Sequence, residues 1–104
     1  TIKESNTTTR IPTDEILYIE SNSNYIHIFT KKQKIIARQS LEWAEVNLPE
    51  HKFKRIHRSY IVNLMAIQKL SSKFVYINEA EIPISRTNAM KIAEFTKLSE
   101  QQRI

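Results

Sequence analysis

The 104 residues include 16 Lys or Arg and 11 Asp or Glu, a formal net charge of +5, and this length predicts one domain over residues 1–104. The positive charge favours a polyanionic partner, either nucleic acid or an anionic membrane surface, and composition does not choose between them. Cysteine is absent, which excludes a disulfide framework, a thiolate metal site and a cysteine nucleophile, and agrees with a reducing cytoplasm. No apolar run approaches the roughly 20 residues of a membrane helix and residues 1–9 are polar, so we expect a soluble, cytoplasmic protein.

The first part of the chain has the alternating pattern of antiparallel β structure. We predict one or two Thr-rich strands with a corner near Asn6, then a hairpin and a third strand. These strands are residues 2–12, 15–20, 25–30 and 34–38, with polar turns at 21–24 and 31–33. The Lys-rich turn at 31–33 either contacts an anion or keeps a sheet edge soluble.

A short helix is predicted after these strands. Ser40 is a typical N-cap, Glu42 is favourable in the first turn, and Pro49 closes the helix. The expected apolar face consists of Leu41, Ala44 and Leu48, widened by Trp43 and Val46.

A basic stretch, residues 51–58, follows the helix and continues without a break into an apolar segment. Six Lys or Arg lie between Glu50 and Glu79 with no carboxylate among them. The β-forming residues 60–62 place the first of these charges on or beside a rigid element. The pattern indicates either an anion-binding surface or a solvated basic face.

The last part of the chain is predicted to contain short strands and a final helix. The strands are residues 60–62, 66–70, 73–77 and 81–84, the last at a sheet edge because of Pro83. Ser85 is expected to cap a helix over residues 86–98 with Ile92 and Phe95 facing inward, and residues 99–104 are expected to fray.

Glycine is absent from the sequence, although tight turns that need positive φ normally use it. Asn is the next most tolerant residue, and it occurs at the expected corners Asn6, Asn22, Asn24 and Asn78. For Asn22 and Asn24, turn formation and ligand contact remain alternatives.

Catalysis has little support among the residues present. Asp14 is the one Asp in the chain, and no Ser, His and carboxylate grouping has a recognisable signature, so we expect no enzyme. His27, His51 and His57 lack nearby ligands, so we expect no metal and no cofactor, and His57 either orders a turn or contacts DNA. Arg86, at the first helical position, opposes the helix dipole. It either converges with the helix N-terminus on an anion or is an exposed Arg tolerated at a small cost.

Three motifs together resemble the LytTR domain, the DNA-binding output domain of bacterial LytR/AlgR-type response regulators. They are residues 18–20 (Tyr-Ile-Glu) with 24–26 (Asn-Tyr-Ile), residues 53–63 (Phe-Lys-Arg-Ile-His-Arg-Ser-Tyr-Ile-Val-Asn) and residues 82–86 (Ile-Pro-Ile-Ser-Arg). The resemblance covers about residues 11–98. It implies a mainly β, elongated arrangement of about ten short strands in three antiparallel sheets, with one short middle helix and one C-terminal helix.

The resemblance also implies where DNA would be contacted, since the family reads successive major grooves through loop residues. The implied base-reading residues are Arg58, Arg86, Asn24 and Tyr25. The implied phosphate-binding residues are Lys54, His57, Ser59, Ser85, Thr87 and Asn88. An Arg can pair bidentately with a guanine edge, a geometry that Lys does not match. The first loop departs from the family because it lacks the glycine that members often have there.

We therefore expect sequence-specific binding of double-stranded DNA, at repeated sites, in transcriptional regulation. The family context implies an N-terminal receiver domain and a sensor histidine kinase as partners, and 104 residues leave no room for that receiver. The chain is accordingly expected to be a fragment of a longer regulator or a free-standing one. The alternative is a non-enzymatic interaction module whose basic face binds an acidic protein or an anionic membrane surface.

Overall fold

The computed structural model of the chain describes residues 2–4, 7–9 and 11–96. The strands are β1 (Ile2–Glu4), β2 (Thr7–Thr9), β3 (Ile16–Asn22), β4 (Tyr25–Thr30), β5 (Lys34–Ala37), β6 (Phe53–His57), β7 (Tyr60–Asn63), β8 (Lys69–Leu70), β9 (Phe74–Ile77) and β10 (Ala80–Pro83). The helices are α1 (Leu41–Asn47) and α2 (Arg86–Thr96), and two 3₁₀ turns occupy Thr13–Glu15 and Leu64–Ala66. No helix in these described ranges has the length and apolarity to cross a membrane.

The strands form three antiparallel sheets, and the mainly β prediction is confirmed. Five strands pair in the order β5-β4-β3-β7-β6, three in the order β10-β9-β8, and β1 pairs with β2. The molecule measures 47 × 24 × 23 Å along its principal axes, so it is elongated. Pro83 lies in β10, an edge strand as predicted.

The five-stranded sheet has an apolar cluster on each face. On one face, Ile19, Ile26 and Ile61 pack with Leu41 and Ala44 of α1. The cluster on the other face contains Ile56 and Val62 of this sheet, Val75, Ile77 and Ile82 of the three-stranded sheet, and Ala89 and Ile92 of α2. The sheet is thus held between α1 on one side and the second sheet with α2 on the other, which fixes the strand ends in space.

The Ser40 cap of α1 is confirmed, because its Oγ accepts a hydrogen bond from the Trp43 amide at 3.0 Å. Trp43 packs against the first cluster, as expected. Val46 does not, since 84% of its surface is exposed. At about 100° per residue, Val46 lies about 140° around the axis from Leu41, on the side facing away from the sheet.

Two turns use positive φ without glycine, at Ser23 (φ 60°) and Asn78 (φ 54°). Asn78 was predicted. At the first hairpin the prediction was wrong in detail, because Asn22 continues β3 and pairs with Tyr25, leaving Ser23 and Asn24 as the turn. A positive φ at the first of two central residues is the pattern of a type II′ turn, which matches strand twist. The predicted corner at Asn6 lies outside the described residues.

Two other predicted elements differ in extent. The strand expected over residues 66–70 is a 3₁₀ turn followed by the two-residue β8, because the Asn63 side chain caps that turn by accepting from the Met65 amide at 2.9 Å. The Ser85 cap of α2 is confirmed by a 3.2 Å bond from the Asn88 amide to Ser85 Oγ. Ile92 is buried as predicted, whereas the side chain of Phe95 and residues 97–104 lie outside what the structure describes.

Candidate nucleic-acid interface

Three segments that carry the predicted site residues meet at one end of the five-stranded sheet. The β3–β4 turn contains Asn24, and the β6–β7 turn contains Arg58. Because β3 and β7 are antiparallel neighbours with Glu20 opposite Tyr60, both turns project from the same sheet end. The N-terminus of α2 joins them, since its Asn88 side chain bonds to β6 two residues before Arg58. We call this region the turn end of the sheet.

The backbone of the β6–β7 turn is fixed by three hydrogen bonds. The Ser59 amide donates to His57 Nδ1 at 3.1 Å, and the Ser59 carbonyl accepts from the Ser21 amide at 2.9 Å. The Arg58 carbonyl accepts from Arg55 Nη2 at 2.7 Å. The Arg58 side chain remains exposed, so the turn has a backbone held by hydrogen bonds and presents one cation to solvent.

His57 has a structural task in this turn. Its Nδ1 accepts the Ser59 amide hydrogen, and its ring meets Tyr60 edge-on at a centroid distance of 5.6 Å. Tyr60 in turn donates to Glu20 Oε2 at 3.0 Å, and burial followed by this hydrogen bond raises the pKa of Tyr60. The expectation that His57 orders a turn is therefore confirmed, and its Nδ1 is already occupied.

The start of α2 is tied to the sheet by a β-bulge. Ile56 has no partner on β7, because the pairing steps from Arg55 opposite Ile61 to His57 opposite Tyr60. Its carbonyl accepts a 3.1 Å hydrogen bond from Asn88 Nδ2. Asn88 therefore docks the helix, while Arg86 and Thr87 are exposed.

The β3–β4 turn presents the two remaining base-reading candidates. Asn24 is exposed at the tip, and Tyr25 at the start of β4 exposes 43% of its surface. Tyr25 is one of the large apolar side chains that the described residues leave in solvent. The structure thus brings Asn24, Tyr25 and Arg58 to the turn end through strand pairing, and Arg86 through α2.

The basic stretch is partly neutralised through space, which corrects the sequence-based picture of uncompensated charge. Lys52 Nζ lies 2.8 Å from Asp14 Oδ1, and Arg55 Nη1 lies 2.8 Å from Glu42 Oε2 and 2.9 Å from Glu45 Oε1. The hydrogen bond from Arg55 lowers the pKa of Glu42. The bond from Lys52 likewise lowers the pKa of Asp14.

Lys54 and Arg58 differ from these two paired cations. Both are exposed, and neither takes part in an ion pair within residues 11–92, whose side chains the structure describes. Half of the four Lys and Arg in the basic stretch thus remain available to an external anion.

Arg38 is a cation that the sequence reasoning passed over. It follows directly after β5, whose last residue Ala37 pairs with Ile26, so it lies beside Tyr25 at the turn end. It is exposed and forms no ion pair with the described side chains. The signal that could have revealed it is the hairpin register, which places the end of β5 next to the β3–β4 turn.

The chain is similar to known proteins in sequence and in fold. Residues 6–97 match the family described as LytTr DNA-binding domain. The transcriptional regulatory protein YpdB of Escherichia coli (strain K12) is 29% identical over 94 residues, which are 84% of this chain and 37% of that protein. The sensory transduction protein LytT of Bacillus subtilis (strain 168) is 26% identical over 88 residues, 79% of this chain and 36% of that protein.

A solved structure shares the fold. It is the LytTr DNA-binding domain of a putative methyl-accepting/DNA response regulator from Bacillus cereus, with a TM-score of 0.75 and 22% identity, covering 90% of this chain and 92% of that one. The present chain spans little more than a third of the length of the curated relatives named above. The family match extends over most of the chain and includes all the motifs noted in its sequence, so the chain belongs to the LytTR family of DNA-binding domains.

Proposed function

We propose that this chain binds double-stranded DNA with sequence specificity and acts in bacterial transcriptional regulation. The observation that carries the proposal is the meeting of exposed Arg58 and Arg86 at one end of a sheet whose backbone is fixed there by side-chain hydrogen bonds. Rigid presentation of an Arg fork is what bidentate reading of a guanine edge requires.

The shape of the molecule supports contact with more than one groove. Its long axis of 47 Å exceeds the length of one turn of B-DNA, about 34 to 36 Å. In this proposal Arg58 and Arg86, which lie at the same end of the sheet, read base edges in a major groove, and the exposed Asn24 and Tyr25 at the first turn contribute a further base contact.

Phosphate contacts would come from groups around the two arginines. Lys54 and Arg38 are exposed cations without an ion pair in the described part of the chain, and both suit a phosphate. At α2, the exposed Thr87 and the backbone at the helix start favour an anion. His57, Ser59, Ser85 and Asn88 are proposed to contribute mainly by fixing the backbone, because each already bonds within the protein.

The two curated relatives described above are named as a transcriptional regulatory protein and a sensory transduction protein. By analogy with them, we place this chain as the output part of a two-component response regulator in the cytoplasm. A receiver domain and a sensor histidine kinase would be its partners. Binding at repeated DNA sites would bring two copies together.

Selection from a pool of random duplexes tests the proposal most directly. The protein is expected to enrich a defined motif and to bind the enriched duplex more tightly than a scrambled duplex of the same composition at one stated salt concentration. Uniform weak binding to all duplexes would contradict sequence specificity. Stronger binding to anionic vesicles or to an acidic protein than to the selected duplex would instead support the interaction-module alternative.

A further inference from the structure

The β6–β7 turn differs from the β3–β4 and β9–β10 turns, the other two-residue hairpin turns among the residues that the structure describes. Such turns normally need positive φ at a central residue, and the β3–β4 and β9–β10 turns have it at Ser23 and Asn78. Neither Arg58 nor Ser59 has positive φ. The turn is instead supported by a bulge in β6 and by side chains that bond to its backbone.

Arg55 is the side chain that connects this turn to α1. Its Nη1 donates to Glu42 Oε2 at 2.8 Å and to Glu45 Oε1 at 2.9 Å, and its Nη2 donates to the Arg58 carbonyl at 2.7 Å. The side chain is 24% exposed. The planar guanidinium can bond to the α1 carboxylates and to the Arg58 carbonyl at the same time, because its N–H donors point in fixed directions within one plane. The ammonium group of Lys does not have this geometry.

We infer that Arg55 is a positioning residue for DNA reading, held by Glu42 and Glu45 so that its second nitrogen fixes the Arg58 carbonyl and thereby the direction of the Arg58 side chain. This rests on the proposed function. Arg55 belongs to the basic stretch by sequence, but its charge is paired within the protein with the carboxylates of Glu42 and Glu45. The acidic residues of α1, which on charge alone should oppose DNA binding, support it through this contact.

The double variant Glu42→Gln/Glu45→Gln distinguishes an effect of the two carboxylates through charge alone from an effect through the position of Arg55. The double variant loses two negative charges, so electrostatics alone should tighten binding to every duplex by the same factor. Loss of positioning should instead lower the ratio of affinities for the selected and the scrambled duplex by about fivefold or more, the low end of what one bidentate guanine contact contributes. Glu79→Gln/Glu81→Gln is the matched control, since it removes the same charge at exposed positions in the β9–β10 hairpin, away from Arg55, and should leave the ratio unchanged.

A double-mutant cycle that combines Glu42→Gln/Glu45→Gln with Arg58→Ala tests whether Arg55 acts through Arg58. In that background the substitutions at Glu42 and Glu45 should change the ratio by less than about twofold, because the side chain they orient is gone. Arg55→Lys gives an independent reading, as it keeps the charge and removes the fork. Circular dichroism melts verify that each variant is folded. In the absence of DNA, amide hydrogen exchange at Ser59 should be faster in Arg55→Lys and in Glu42→Gln/Glu45→Gln than in the wild type.

The outcomes separate two failures. A wild-type protein that prefers no duplex would overturn the proposed function and the role of Arg55 with it. A wild-type preference retained by Arg55→Lys and by Glu42→Gln/Glu45→Gln would overturn the role of Arg55 alone. So would a loss of preference that persists undiminished in the Arg58→Ala background.

Discussion

Arg58→Lys and Arg86→Lys test whether these arginines read bases or only attract phosphate. Each change keeps the charge, and the helix dipole opposes Lys at position 86 as it does Arg. If each arginine pairs bidentately with guanine, each variant should lose about 1 to 3 kcal/mol on the selected duplex, or about 5- to 150-fold in affinity. Affinity for a scrambled duplex should change little, because the phosphate attraction is retained.

Stability should survive both substitutions. Both side chains are exposed and neither forms an ion pair within residues 11–92, so the free energy of unfolding should change by no more than about 0.5 kcal/mol. The melting temperature should then fall by no more than about 2 to 4 °C. The assay is a titration of both duplexes at one salt concentration, with Lys54→Arg as control. Equal loss on both duplexes, or no loss, would refute base reading by that arginine.

Three further results are expected. Lys54→Ala should weaken binding to all duplexes alike and reduce the slope of log affinity against log salt by about 0.9, as a salt titration would show; an altered base preference would contradict a phosphate role. Ile61→Ala, which truncates a side chain that is 1% exposed, should lower the free energy of unfolding by about 2 to 5 kcal/mol in urea denaturation, and an unchanged midpoint would refute its place in the core. Because Arg55 lowers the pKa of Glu42, their contact should stabilise the protein fully above the ordinary Glu pKa, and this stabilisation should be lost as the pH falls through the lowered pKa. The melting temperatures of wild type and Glu42→Gln should therefore converge as the pH is lowered. A difference that stays constant across acidic pH would contradict this.

The sequence was sufficient where local rules decide the structure. Alternation of Ile26 and Ile28 identified β4, and a hydroxyl before each helix identified the caps at Ser40 and Ser85. Asn78 took the positive φ that a glycine-free turn needs. Each of these features depends on residues within a few positions of one another, so a short segment of sequence is enough to predict it.

The sequence was insufficient where pairing depends on the three-dimensional arrangement. Glu42 and Arg55 are 13 residues apart and meet only because α1 packs over the sheet that ends in β6. The same holds for Lys52 with Asp14, which are 38 residues apart. The Asn88 bond to the bulged Ile56 could not be anticipated either, because neither the bulge nor the docking of α2 has a local sequence signal.

This difference changes how the basic stretch is understood. Its four Lys and Arg contribute equally to net charge, yet Lys52 and Arg55 are neutralised within the protein while Lys54 and Arg58 are not. A count of charges would rank the four alike as DNA contacts. The structure instead distinguishes Arg58, a proposed base reader, from Arg55, whose side chain holds the Arg58 carbonyl by a hydrogen bond. Specificity in this stretch should therefore follow the geometry of the Arg55 contacts more closely than the total charge, and substitutions that alter charge at constant geometry should shift affinity without shifting preference.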